Sequence, residues 1–399
     1  MTTWVSRRWA KSVGVLASAL ALSLGVSLTP VAPAYAADPP VTADKQDYYK
    51  FYKLKSIHDQ GITGKGVTIA VLDGAVNPNI PELKGANIQD RTPCVKESAP
   101  ENAAHGTTVA QILVSPEFGV APDATLYTYT IPLYGDKSNC TLSGWTGEAE
   151  NDTPLLIEQA INDGADIIAI SSNYPDSRNS SMRWAISRAA VTGVPIVASV
   201  GNDSKYNPDD ELGMWGGVIG VAALEEDGTV ADYSNYGDGV TLAAIGEIRG
   251  RSSIDGKRYK TSGTSYASPM VAGFLALAWQ RFGDGGVSVR QVLQAMVATA
   301  WGTNGQWNER TGYGEINPAA LLSADPSQYP VESPLLEKGS RFAFHEDDIY
   351  DYYYGLANPR EVLNDDWYVY RGVDEASALS EGHGYEVHLG TSPLYHYQG

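Results

Sequence analysis

The stretch KTSGTSYASPMVAGFLALAW, residues 260–279, places Gly263, Thr264, Ser265 and Pro269 where an apolar helix begins. One capping side chain is enough to start a helix, so this concentration of small and hydroxylated residues exceeds what a cap requires. If Ser265 is a nucleophile, its small neighbours let a carbonyl come close. The helix start then offers backbone N–H groups and a partial positive charge to the developing oxyanion. A serine hydroxyl is inert until a base takes its proton, and that base needs an acid to orient it. The chain supplies both in comparable places. Asp73 closes the apolar run VTIAVL beside Gly74, and His105 stands beside Gly106 at the head of HGTTVAQILV, read here as a helix start. Singly, an Asp-Gly pair is an ordinary turn and a helix-starting His can be structural. In the order Asp73, His105, Ser265, each at the end of an apolar run, they read as acid, base and nucleophile.

Such residues need a scaffold that brings distant parts of the chain together. From about residue 62 to 322, short apolar runs alternate with helical stretches. Residues 66–74, 124–132, 165–173, 194–202 and 216–224 read as buried strands. Residues 105–114, 152–165 and 181–193 have helix spacing, with Gly164 and Gly193 as C-terminal stops. This alternation predicts an α/β fold with a mostly parallel sheet and helices on both faces. Ligands of such sheets bind at the carboxyl ends of the strands.

Bulk properties narrow the field. The chain is 43% hydrophobic, 19% charged and carries a formal charge of −19. Nucleic acid and anionic membrane surfaces need a basic footprint, so neither is expected as a partner. Arg7, Arg8 and Lys11 precede an apolar run from Val13 to Leu28, and Ala34-Tyr35-Ala36 follows as a cleavage site. This predicts a signal peptide over 1–36 and a secreted, extracellular protein without a membrane anchor in its mature form; a retained anchor is the alternative. The export route stays open. The two cysteines, Cys94 and Cys140, predict one disulfide in an oxidising compartment, with two separate thiols as the alternative. No His cluster accompanies them to make a zinc site. A short N-terminal extension is assigned to 37–52 and the main domain to 53–323. Residues 324–399 are expected to form a small, partly folded acidic extension, with 10 of the 24 tyrosines. Four of the six histidines lie there at spacings that match no metal-ligand pattern, so neither metal nor cofactor is expected.

The motifs together resemble those of subtilisin-like serine proteases (subtilases, peptidase S8 type). VTIAVLDGAV resembles the aspartate motif of that family, HGTTVA its histidine motif and SGTSYASPMVAG its serine motif, within a likeness that spans most of 62–322. The resemblance implies a three-layer fold and a secreted serine endopeptidase acting as a monomer; the unusual Asn173 and the lack of a long propeptide suggest a dedicated processing role. An inactive subtilase serving as a binding or scaffold protein is the alternative. Asp73, His105 and Ser265 would form the catalytic triad, and Asn202 would be the oxyanion-hole asparagine. A peptide or protein substrate would bind in extended conformation along Ser171-Ser172-Asn173, facing Ser199-Val200-Gly201 across the primary pocket. The chain departs from the family pattern in several places. Gly74 and Ala75 replace a hydroxyl residue and a glycine, Thr108 stands where a second histidine is common, and Ser172 and Asn173 replace Leu and Gly. Between Ala36 and about Lys53 there is no room for the long folding propeptide of many relatives. The membrane helix that ends mycosin-type subtilases finds no apolar counterpart here.

Overall fold

Runs such as TIAVL and VIGVAAL have no polar alternation, and a strand of this kind needs cover on both faces. The computed structural model supplies it. It describes residues 38–93, 96–138, 152–172, 180–208, 211–303, 306–336, 344–358, 361–365 and 367–368. Seven parallel strands form one sheet: β1 (Thr68–Asp73), β2 (Asn87–Asp90), β3 (Thr125–Thr130), β4 (Ile167–Ile170), β5 (Ile196–Ser199), β6 (Val218–Leu224) and β7 (Val240–Ile245). Their spatial order is β2-β3-β1-β4-β5-β6-β7. The chain builds outward in one direction from β1 and in the other from β4, so the crevice at the carboxyl ends of these two strands is the switch point where such sheets receive ligands. Asp73 is the last residue of β1.

The pleat sends alternate side chains into two apolar layers. Ile69 and Val71 join one core with Val109, Ile112, Val271 and Leu275. Ala70 and Leu72 join the other with Leu156, Ile157, Met182 and Ile186. The first layer is roofed by α1 (Pro100–Val114), α4 (Thr264–Phe282) and α5 (Val289–Ala298), the second by α2 (Asp152–Asn162) and α3 (Ser180–Thr192). Gly164 and Gly193, just beyond α2 and α3, have φ of 85° and 76°, the left-handed conformation that ends a helix without a Cβ penalty.

The sequence reading assigned five of these strands and not the edge strands β2 and β7, and two further features depart from it. Helix α1 begins at Pro100, so His105 lies in its second turn and does not open it. Proline at the first helical position loses an N–H that would be unsatisfied anyway, and Glu101 suits the positive end of the helix; the interior Gly106 had masked this early start. The second is an unforeseen antiparallel hairpin, β8 (Glu247–Arg251) with β9 (Arg258–Ser262), which runs directly into α4.

Both ends of the described chain are tied into this body. Arg251 and Glu82, each under 4% exposed, pair at 2.8 Å, and Arg251 Nη2 donates to the Asp38 and Pro39 carbonyls. Tyr48 and Tyr52 are buried, and Tyr52 OH accepts from Ile245 N at 3.0 Å. At the other end, Phe344 enters the second core beside Trp215 and Ile186. A β-carbon on Gly217 would come within 2.7 Å of the Phe344 ring, so the absent side chain makes room for it. Helix α6 (Glu346–Tyr353) packs on α3. There Trp184 Nε1 donates to Glu361 at 2.7 Å, and buried Arg188 meets Asp365 at 3.5 Å. Glu158, from α2, lies under the same segment. Burial pushes its carboxyl up to about 8, against the pull of Arg188, and so favours the neutral form.

Candidate active site

Strand β1 delivers Asp73 fully buried, with Oδ1 accepting from Gly74 N at 2.7 Å and from His105 Nδ1 at 2.8 Å. That contact assigns the Nδ1–H tautomer to His105 and leaves Nε2 as the basic nitrogen. Burial works against a charged imidazole, but the charge and hydrogen bond of Asp73 outweigh it, and the His105 pKa lies above the ordinary 6.5. Asp73 Oδ2 is buried without a hydrogen-bond partner among the described residues.

Two glycines make the Asp73–His105 approach possible. A β-carbon on Gly74 would lie 2.1 Å from Asn102 O, and one on Gly106 would lie 2.1 Å from Gly74 O. Helix α1 therefore touches the end of β1 backbone to backbone. A side chain at position 74 would push α1 away from the end of β1. Thr108, one turn beyond the contact, bonds Tyr259 OH of β9 and ties α1 to the hairpin that leads into α4.

Ser265 is the second residue of α4 and 9% exposed. The ring of Tyr266, its chain neighbour, lies against His105 with centroids 5.3 Å apart. Ser265 Oγ and His105 Nε2 do not share a hydrogen bond in this structure. Asn202 follows β5 and turns its Oδ1 to Thr264, accepting from Thr264 N at 2.8 Å and from Thr264 Oγ1 at 3.0 Å. The Thr264 hydroxyl in turn accepts from Gly201 N at 3.1 Å. With Oδ1 engaged, the Asn202 amide presents Nδ2. Ser265 Oγ and Asn202 Nδ2 lie 3.2 and 3.6 Å from the point a β-carbon on Gly263 would occupy, so both converge on one small space. Ser265 N–H and Asn202 Nδ2 have no acceptor among the described residues. Thr264 escaped the sequence reading because it looked like one more small residue at a helix start.

Ser171 follows β4 directly, and its Oγ lies 3.1 Å from Ser268 Oγ, one turn beyond Ser265. Ser172 Oγ is buried without a hydrogen-bond partner among the described residues. Strands β4 and β5 are neighbours, with Ile170 beside Ala198, so Ser171-Ser172 and Ser199-Val200-Gly201 leave adjacent strand ends and flank one gap. Asn173, Cys94 and Cys140 lie outside the described residues. Asp47, Glu226 and Glu247 bring carboxylate oxygens within 4.8 Å of one another away from this site. Lys260 and Arg249 already bridge them, which makes the group an ion-pair network.

An acid bonded to an imidazole at a sheet switch point, beside a serine at a helix start, is an arrangement that serine hydrolases use. Comparison with known proteins narrows it further. The profile of the subtilase family (peptidase S8) matches residues 64–314, and the chain belongs to that family. It is similar to the thermostable alkaline protease of Halalkalibacterium halodurans, 32% identical over 240 residues that make up 58% of this chain and 62% of that one. The chain spans about three-fifths of the length of that relative and of subtilisin amylosacchariticus. Among solved structures, the prenylagaramide maturation protease PagA is 27% identical with a TM-score of 0.56, covering 68% of this chain and 97% of its own. MycP1 from the ESX-1 type VII secretion system has a TM-score of 0.61 at 24% identity, covering 75% and 90%, and shares the fold.

Proposed function

We propose that this protein is a secreted serine endopeptidase that cleaves peptide bonds through an acyl-enzyme. Ser265 Oγ attacks the scissile carbonyl while His105 Nε2 takes its proton; His105 then protonates the leaving amine, and water repeats the sequence to release the acid. Asp73 holds the imidazole in the required tautomer and stabilises its charged form. Ser265 N–H and Asn202 Nδ2 receive the oxyanion, and one such donor is worth on the order of 3 kcal/mol of transition-state stabilisation. The observation that carries this reading is the buried 2.8 Å Asp73–His105 bond, with the His105 ring against the residue that follows Ser265. The missing Ser265–His105 bond is compatible with it, because apo sites often hold that contact long until substrate arrives. A fluorophosphonate probe tests it. Labelling of the wild type that disappears in Ser265→Ala supports the enzyme. A folded wild type that resists the probe overturns it in favour of the binding or scaffold role.

A dedicated processing role is favoured by the polar Ser172 on the pocket edge and by the likeness to a maturation protease. Peptide-library profiling should then return one narrow motif; broad cleavage would reject the narrower role. Export with cleavage after Ala36 is supported by the basic and apolar pattern of residues 1–36, and the N-terminal sequence of the mature protein checks it. A disulfide between Cys94 and Cys140 is supported by the backbone ladder next to them. Lys96 pairs with Ser138 and Glu97 with Lys137, antiparallel, and Lys96 and Ser138 each stand two residues along the chain from one cysteine. Intact mass with and without reduction, after alkylation, decides it.

A further inference from the structure

Asn202 is useful only if its amide is held at one spot, yet it sits in a loop where Ser204 and Asn207 have positive φ. Such a loop keeps its shape only if something outside it holds it. Asn235, on a separate loop between β6 and β7, is fully buried directly beneath it. Three hydrogen bonds run from this one residue to backbone on both sides of Asn202. Asn235 N donates to Gly201 O at 2.9 Å, and Asn235 Oδ1 accepts from Asp203 N at 3.0 Å and from Lys205 N at 2.8 Å. The other end of the amide faces the open side of Gly201. Asn235 Nδ2 and the buried Glu211 Oε1 lie 2.3 and 2.1 Å from the point a β-carbon on Gly201 would occupy. The two N–H groups on Oδ1 set the orientation of the amide, and Nδ2 is left buried without a hydrogen-bond partner among the described residues.

We infer that Asn235 is a positioning residue for catalysis: it clamps the backbone on either side of Asn202, while Thr264 fixes the Asn202 side chain, so that together they aim Nδ2 at the oxyanion. The inference rests on the hydrolytic reading above. Asn235 touches neither the substrate nor the reacting atoms in this scheme; it acts through Asn202. Loss of the clamp leaves nucleophile, base and substrate edge in place but lets the oxyanion donor wander. A displacement near 1 Å at such a group costs on the order of 10²-fold in rate.

The test is a double-mutant cycle in the full chain, with kcat and KM measured on a peptide substrate and folding checked by thermal melting. Asn235→Ala should lower kcat by ~10- to 100-fold with KM within about twofold. In the Asn202→Ala background, which has already lost the donor, the same substitution should change kcat by less than about threefold. A purely structural role would make the two losses multiply, and that result overturns the inference, as does a loss confined to KM. If Asn235→Ala fails to fold, Asn235→Ser gives the same reading, since its backbone bond to Gly201 survives while the shorter side chain cannot span both N–H groups. Fluorophosphonate labelling separates the two levels. An unlabelled wild type overturns the hydrolytic reading and this inference with it; a labelled wild type with a multiplicative cycle overturns this inference alone.

Discussion

The contact between α1 and the end of β1 offers a direct test of how the site is assembled. In Gly74→Ala, the new methyl would lie 2.1 Å from Asn102 O, where ordinary contact begins near 3.4 Å. Roughly 1 Å or more of displacement must follow, and both partners are backbone, so no side chain can swing aside. The displacement falls between Asp73, one residue before, and His105, three residues beyond Asn102 in α1. A misplacement of that size costs ~10²-fold in rate, or ~2.7 kcal/mol of transition-state stabilisation. The overpacking itself should cost ~1–3 kcal/mol of stability. The assay is kcat/KM on a fluorogenic peptide, thermal melting, and the downfield NMR signal of the His105 Nδ1 proton, which reports the bond to Asp73. Gly285→Ala is the control, because its β-carbon would meet nothing within 4 Å. If Gly74→Ala keeps its activity within threefold with an unshifted melting temperature and an unchanged proton signal, close backbone approach does not set the site.

Other outcomes follow from the same physical terms. His105 must be neutral to act as a base, so kcat/KM should fall on the acid side with a midpoint above 6.5, the ordinary histidine value. Asp73→Asn should move that midpoint down and lower kcat by ~10⁴-fold; a pH–rate profile measures both. The Glu158 pKa is raised in the folded protein from 4.5 to about 8, so its contribution is fully present below about 4.5 and is lost as pH rises through 8. Glu158→Gln should flatten that part of the melting temperature against pH, and an unchanged curve would show that the group does not titrate there. Arg251→Met leaves Glu82 buried without its partner and should cost ~3–5 kcal/mol in denaturant unfolding, with earlier proteolysis near Asp38. Phe344→Ala empties a filled site in the second core and should cost ~3–5 kcal/mol, read in the same way.

Much of this architecture was legible in local pattern. The strands around Val71, Ile168, Val197 and Val221 are short unbroken apolar runs, and α2, α3 and α4 have helix spacing, so element type and the parallel sheet follow from continuous apolar runs alternating with a period near four. The candidate residues stood out because small neighbours cluster around Asp73, His105 and Ser265, a cue confined to a few adjacent positions. What depended on distant neighbours did not show. The early start of α1 was hidden by Gly106, whose purpose is to touch Gly74 O, 32 residues away. Asn235 and Thr264 look like ordinary polar residues until β5, β6 and α4 meet. The hairpin before α4, the clasp of Arg251 on Asp38, and Phe344 over Gly217 were likewise settled by packing. The sequence by itself determined the five central strands, the helices α2, α3 and α4, and which side chains can carry chemistry, because those depend on residues close in the chain. Only the tertiary structure decided which backbones touch and which buried polar groups meet, because close packing and hydrogen-bond satisfaction are conditions on three-dimensional neighbours.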